Sequence, residues 1–325
     1  MKPYVFITRR MPEETIADLT DRFEVKMWDH EDIPAPREVL LAEAKKASGM
    51  ITMLSDKIDE ELLSAGENLK VVANLAVGFD NVDLEAATKR GIVVTNTPDV
   101  LTETTADLTF ALLMAAARRI VEAADYIKAD KWKGWGPYLL AGNDVYGKTI
   151  GIVGMGKIGE AVARRAKGFG MDILYHNRSR KPEAEKEIGA IYSSFDDVVT
   201  KADFVVSLAP LTAETKNLFT AEVFAKMKKS SIFINVGRGP VVDEQALYEA
   251  LKRGEIAAAG LDVFEKEPIS AGHPLLELPT VTALPHIGSA STETRTTMIR
   301  LCSANVKVVL SGDTPKTVVN KEVLQ

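Results

Sequence analysis

The sequence predicts an α/β protein of two doubly wound parallel-sheet domains, one inserted into the other. Three observations predict it. Short β-branched apolar runs alternate with segments of helical apolar spacing almost from end to end. A glycine-rich turn sits in mid-chain, and alternating units lie on both sides of it. The first runs, residues 4–8, 50–54, 71–75 and 92–96, have the apolar character of strands buried on both faces. Between them, residues 12–22 and 36–46 space their apolar side chains as helices do. Such alternation requires right-handed βαβ units and a parallel sheet covered by helices on both faces.

Around Thr97-Pro98-Asp99 the pattern changes to one long helical stretch over residues 102–130, followed by an irregular Trp/Gly/Pro segment over 132–147. A new strand, glycine turn and helix begin at Lys148. Further runs follow at 172–176, 204–208, 232–236, 257–262 and 281–283, then a last helix over 291–310. A nucleotide-type turn with alternation on both sides places one domain at 99–288, and residues 1–98 with 289–325 in the other, with a cleft between them. The 102–130 helix carries Leu108, Phe110, Leu112, Leu113 and Met114, more apolar surface than one exposed face tolerates, which predicts a two-fold homodimer through this helix and the loop after it.

Composition narrows the function classes. At 325 residues the chain is too long for one ordinary core, and 46% hydrophobic with 26% charged residues is a globular balance. A net charge of -6, with both signs interspersed, argues against a nucleic-acid partner. Cys302 is the only cysteine, so no intrachain disulfide forms, which suits a reducing compartment. Residues 1–10 read as a strand entering a turn, not as a signal peptide. The longest apolar stretch, 108–117, lies between Asp107 and the pair Arg118-Arg119, far short of the roughly 20 residues of a membrane span. The expectation is a cytoplasmic enzyme without membrane attachment.

The mid-chain turn, Gly154-Met155-Gly156-Lys157-Ile158-Gly159, is a G-x-G-x-x-G between a strand and a helix. In that context Gly154 makes the tight turn, Gly156 admits a pyrophosphate to the backbone and Gly159 lets the helix pack on the strand. The helix N-terminus offers unpaired N–H groups to phosphate. The next strand ends in Asn177-Arg178-Ser179-Arg180, with no carboxylate where NAD enzymes bond the ribose hydroxyls; the two arginines and the serine suit a 2′-phosphate instead. NADPH is the expected cofactor, with NADH the weaker alternative.

Four histidines are candidates for proton transfer. His30 lies in a charged loop, His176 at the cofactor strand end and His273 before Pro274. His286 follows an apolar run and Pro285, at the strand-end edge where α/β ligands bind. Glu267 lies past another strand end; a carboxylate on an imidazole favours its protonated form and fixes its tautomer. Arg238, after the 232–236 strand, offers the planar fork that matches a 2-keto acid carboxylate. The histidines and the lone cysteine show no metal-ligand spacing, and no G-x-S-x-G elbow occurs, so no metal site and no nucleophilic serine are expected.

Five segments, in order, make the chain resemble the D-isomer-specific 2-hydroxyacid dehydrogenases over nearly its whole length. They are Asn74 to Asp83 around Val77-Gly78, the glycine turn, Asn235 to Asp243 including Val236, Gly237, Arg238 and Gly239, Gly260 to Pro268 including Asp262 and Glu267, and Leu284 to Ser289 around His286 and Gly288. Within that family Leu54-Ser55-Asp56 and Trp132 to Trp135 look most like the glyoxylate/hydroxypyruvate reductases. The resemblance implies a dinucleotide (Rossmann) domain inserted into a flavodoxin-like substrate domain, with Arg238, Glu267 and His286 as the catalytic trio. It implies substrate contacts from Leu54, from N–H groups around Val77 and Gly78, from Arg238 and His286, and from Trp135, whose indole would close a small pocket, across the dimer or within it. Cofactor contacts are implied at Gly154 to Gly159, at Asn177, Arg178, Ser179 and Arg180, at Pro210, at Val236, Gly237, Arg238 and Asp262, and at His286 and Gly288. The implied reaction is hydride transfer from a reduced nicotinamide to C2 of a small 2-keto acid while His286 protonates the carbonyl oxygen. Two alternatives stay open: a phosphoglycerate- or lactate-type dehydrogenase, and a non-catalytic dinucleotide-sensing corepressor-like protein.

Overall fold

The structure, a computed structural model, describes residues 2–325. They form two compact units, one running to Leu101 and resuming at Ala290–Gln325, the other Thr102–Ser289.

The first unit holds β1 (Tyr4–Ile7), β2 (Glu24–Met27), β3 (Gly49–Thr52), β4 (Val71–Asn74) and β5 (Val93–Thr95), all parallel, in the order β2-β1-β3-β4-β5. The strands β3, β4 and β5 are buried throughout, as their unbroken apolar runs require. At the edge, β2 alternates exposed and half-buried residues, so its Glu24-Val-Lys-Met27 sequence carries no apolar run. The 12–22 segment is not one helix: a 3-10 turn, Glu13–Thr15, and a short helix, Ala17–Thr20, meet at Ile16, whose φ of -119° is non-helical. Winding reverses between β1 and β3, so the loops after these strands flank the switch point of this sheet.

The second unit holds β6 (Thr149–Val153), β7 (Asp172–His176), β8 (Ile191–Tyr192), β9 (Phe204–Ser207), β10 (Ile232–Asn235), β11 (Ala258–Leu261) and β12 (Val281–Ala283). All are parallel, in the order β12-β11-β10-β9-β6-β7-β8. This is the dinucleotide-fold order with one added strand, and its switch point lies between β6 and β9. The expectation of two parallel α/β sheets is met. Among the described residues no helix is long and apolar enough to cross a membrane.

The long helix expected over 102–130 is broken. Helix Thr102–Ala117 ends at Arg118, Arg119 adopts the left-handed conformation (φ 53°), and a second helix, Ile120–Lys128, begins. The break has local causes. Asn143 N–H takes the Ala117 carbonyl at 2.8 Å, and the Arg119 guanidinium turns onto Glu122 through two contacts of 2.7 Å. The apolar residues also face differently from the expectation. Phe110, Leu112 and Leu113 are buried in the core of their own unit, with Leu112 lying over Gly260 of β11, while Leu108 and Met114 are half-buried. Phe110, Leu112 and Leu113 are therefore taken up by their own unit, and only Leu108 and Met114 of the five keep part of their surface open. The exposed apolar side chains lie further on, at Ile120, Val121, Ile127, Trp132, Trp135 and Tyr138.

Candidate active site

Three strand-end loops of the second unit carry the site. After β10, Asn235 is fully buried and clamps its own loop: its amide donates to the Arg238 carbonyl at 3.1 Å and accepts from Gly237 N–H at 3.2 Å. The next residue, Gly239, is pressed on the loop after β11; a Cβ there would lie 1.8 Å from the Phe264 carbonyl oxygen, which only glycine avoids. The Arg238 and Glu267 loops therefore interlock. Arg238 Nη1 donates to the Gly237 carbonyl at 3.0 Å, and its charge reaches Glu267.

Glu267 and His286 come together directly. Oε2 of Glu267 lies 2.7 Å from Nδ1 of His286, while Oε1 accepts the Phe264 N–H at 2.9 Å. Burial pushes the Glu267 carboxyl up, but the His286 hydrogen bond and charge, the Phe264 N–H and the Arg238 charge outweigh it and hold the carboxyl below its ordinary range. With Nδ1 engaged, Nε2 is the nitrogen left for a reacting group.

His286 stands at φ 54°, a left-handed conformation that costs a non-glycine residue about 1–3 kcal/mol. Its neighbours hold it there. Asp262, fully buried at the end of β11, accepts Ile287 N–H through one oxygen and Gly288 N–H through the other, both at 2.8 Å. Burial raises the Asp262 carboxyl, against the pull of those two N–H groups and of His286. Its two oxygens thus anchor the His286 loop, a role the sequence did not announce; the available signal was a carboxylate ending an otherwise apolar strand.

The glycine turn has a shape that fits a pyrophosphate. Gly154 has φ 103°, and a Cβ there would lie 2.6 Å from Ala209 N after β9, so the turn closes on the switch point. A Cβ at Gly156 would meet nothing within 4 Å, leaving open space at the N-terminus of the Lys157–Gly168 helix. Of the residues after β7, Asn177 is engaged with the Met155 backbone, accepting its N–H at 3.1 Å and donating to its carbonyl at 3.2 Å. Arg180 is bound to Glu185 through contacts of 3.0 and 2.5 Å and lies over the Tyr192 ring. A carboxylate therefore does stand beside this strand end, brought by the following helix, and it occupies Arg180. Arg178 and Ser179 are exposed.

The remaining residues sort plainly. His30 is exposed, His176 Nδ1 faces the Ser193 carbonyl at 3.1 Å, and His273 Nε2 lies 3.4 Å from Glu244. Pro210 is exposed, Val236 buried and Gly237 tight against the Ala209 carbonyl. Trp135 is 85% exposed. In the first unit, Leu54, Val77 and Gly78 lie half-buried in the loops after β3 and β4.

Comparison with known proteins gives the family. The sequence profile of the D-isomer specific 2-hydroxyacid dehydrogenase NAD-binding domain matches residues 110–288. A glyoxylate reductase of Thermococcus kodakarensis is 51% identical, over 100% of this chain and 98% of its own. The chain belongs to the D-isomer-specific 2-hydroxyacid dehydrogenase family. Among solved structures, a Thermus thermophilus protein superposes on this dehydrogenase with a TM-score of 0.92 at 45% identity, covering 97% of this chain and 99% of that one. An NADPH-dependent glyoxylate/hydroxypyruvate reductase of Sinorhizobium meliloti, solved with NADP and malonate, gives 0.88 at 35% identity, covering 99% and 98%. Membership makes the chain a nicotinamide-dinucleotide-dependent 2-hydroxyacid dehydrogenase.

Proposed function

We propose that this dehydrogenase reduces glyoxylate and hydroxypyruvate to their 2-hydroxy acids with NADPH, in the cytoplasm. The observation that carries the reading is the His286–Glu267 pair, with Arg238 on the interlocked loop, in a chain half identical to a glyoxylate reductase. When bound, the reduced nicotinamide supplies the hydride. The residues to hold that cofactor are the Gly154–Gly159 turn with Met155, Lys157 and Ile158, the 177–180 strand end, Pro210, Val236 to Arg238, Asp262, and the backbone of His286 and Gly288.

His286 donates its Nε2 proton to the carbonyl oxygen of the keto acid. Glu267, ionised because its neighbours hold its carboxyl down, stabilises the positive imidazole and fixes its tautomer. Arg238 takes the acid group and polarises the carbonyl where negative charge develops. N–H groups around Val77 and Gly78 take the substrate carboxylate, and Leu54 contributes to the wall. Trp135 limits the size of the acid.

NADPH preference rests on the strand end after β7. Arg178 and Ser179 are available to a 2′-phosphate, whereas Arg180 must first leave Glu185. The oligomer is proposed to be a homodimer, resting now on the exposed apolar side chains between Ile120 and Tyr138.

Initial rates with glyoxylate, hydroxypyruvate and phenylpyruvate test the substrate class. The two small acids should give the higher kcat/KM; a preference for phenylpyruvate contradicts the proposal.

A further inference from the structure

At the carboxyl edge of the five-stranded sheet, Asn74 ends β4 with its side chain fully buried. Every polar atom of such a group must find a partner. Its Nδ2 donates to the Gly78 carbonyl at 3.1 Å and to Asn81 Oδ1 at 3.0 Å. Its Oδ1 accepts from Thr52 Oγ1 and from Asn81 Nδ2, each at 3.2 Å. Asn81 also donates to the carbonyls of Met53, at 3.1 Å, and Asp56, at 3.0 Å. Both of those oxygens only accept, which fixes the amide's orientation. One reciprocal amide pair thus grips two loops, the one carrying Leu54 and the one carrying Gly78.

Each loop has a second anchor. Asp56 and Arg9 form an ion pair whose residues are 2% and 6% exposed, and Asp56 also accepts Met53 N–H at 2.8 Å and the Thr8 hydroxyl. On the other loop, Asn96 Nδ2 donates to the Val77 carbonyl at 2.8 Å. With the Val77 and Gly78 carbonyls held by side-chain amides, the planar trans peptides aim the N–H groups of Gly78 and Phe79 the opposite way. Those N–H groups have no acceptor among the described residues. Two successive N–H groups left open on a restrained backbone are the donors from which an anion-binding nest is built.

We propose that Asn74 and Asn81 are positioning residues for the substrate: the pair sets the nest that receives the keto-acid carboxylate and couples it to the Leu54 loop. This rests on the reading of that backbone as the carboxylate site. Loosening the pair weakens an interaction made equally before and during hydride transfer, so KM for glyoxylate rises while kcat is nearly unchanged.

Asn81→Ala is the test, with Asn320→Ala as the control. Asn320 is buried in the same unit and its side chain makes three hydrogen bonds, with Val94 N, Thr88 and the Ile92 carbonyl, none of them to the nest. Oxamate is titrated into the full-length, NADPH-loaded proteins and read from the backbone amide resonances of Gly78 and Phe79, alongside the glyoxylate KM. In the wild type both amides shift with oxamate. In Asn81→Ala the oxamate Kd and glyoxylate KM rise together, by roughly tenfold or more, the scale of one hydrogen bond to a charged group. Asn320→Ala stays within about twofold of wild type, so a general loosening of the unit is separated from the specific effect. Asn96→Ala, which frees only the Val77 carbonyl, gives a smaller rise in the same direction and serves where Asn81→Ala does not fold. Equal Kd values in Asn81→Ala and wild type, with the wild-type amides responding, overturn the positioning role alone. Wild-type amides that ignore oxamate overturn the carboxylate site and the positioning role with it.

Discussion

His286 is held in a costly backbone conformation by a carboxylate on each side of it, Glu267 on its ring and Asp262 on the two N–H groups that follow. The ring contact has a pH consequence. The depressed carboxyl of Glu267 keeps a carboxylate charge beside Nδ1 of His286, and a carboxylate favours the protonated form of a neighbouring imidazole in general. Glu267→Gln removes that charge while keeping a hydrogen-bonding side chain, so the falling limb of the reduction profile moves to lower pH. A kcat/KM profile unchanged by Glu267→Gln shows that the carboxylate does not couple to the acid. The same depressed carboxyl contributes stability above its unfolded value, about 4.3, that is lost as pH falls through its lower folded value. At the cofactor end the two arginines are not equivalent. Arg178 is exposed, and Arg180 is engaged by Glu185. Arg178→Ala should therefore lower NADPH affinity by roughly tenfold or more, with NADH little changed, and Arg180→Ala by less. Equal losses, measured as NADPH Kd, contradict the ranking. The placement of Arg238, Glu267 and His286 on neighbouring loops was legible in the sequence because each follows a recognisable strand. Asp262's anchoring, Glu185's hold on Arg180 and the Asn74–Asn81 pair were not, because each depends on which loops tertiary packing brings together.

The buried strands were legible because strands covered on both faces must be apolar throughout. The edge strand β2, exposed along one side, carries Glu24 and Lys26 and leaves no such signal. The 102–130 helix shows the opposite failure. Its apolar content reads as continuous, but two different faces supply it: one packed on β10 and β11, the other exposed on Ile120–Lys128 beyond the left-handed Arg119. The signal for the break, a Glu122 three residues after Arg119 that takes its guanidinium, is too common to be read alone. A face that leaves Ile120, Val121 and Ile127 exposed is costly in water. Beside it a cavity of about 730 Å³, lined by Ala117, Tyr126, Gly142 and Thr282, opens at the amino edge of the sheet, the edge opposite His286. Sedimentation at micromolar concentration should show a dimer, and Val121→Glu with Ile127→Glu should dissociate it. A wild-type monomer contradicts the association.

At the scale of the whole chain, two sheets of related winding each present their loops at the carboxyl edge. In one the loops hold the glycine turn and the Glu267–His286 pair; in the other they hold the Val77–Gly78 backbone, restrained by the amides of Asn74 and Asn96. Arg238, Glu267 and His286, the ionisable groups proposed for the reduction, all lie in the unit that carries the glycine turn. In that proposal the chemistry rests on His286 above all. The most direct measurement is glyoxylate-dependent oxidation of NADPH by the wild type and by His286→Gln, side by side under saturating cofactor. The wild type should turn over at roughly 1–10³ s⁻¹, and His286→Gln should lose about 10²–10⁴-fold in kcat with NADPH affinity preserved. A His286→Gln rate within a few fold of wild type, or a wild type that does not oxidise NADPH with glyoxylate, contradicts the account.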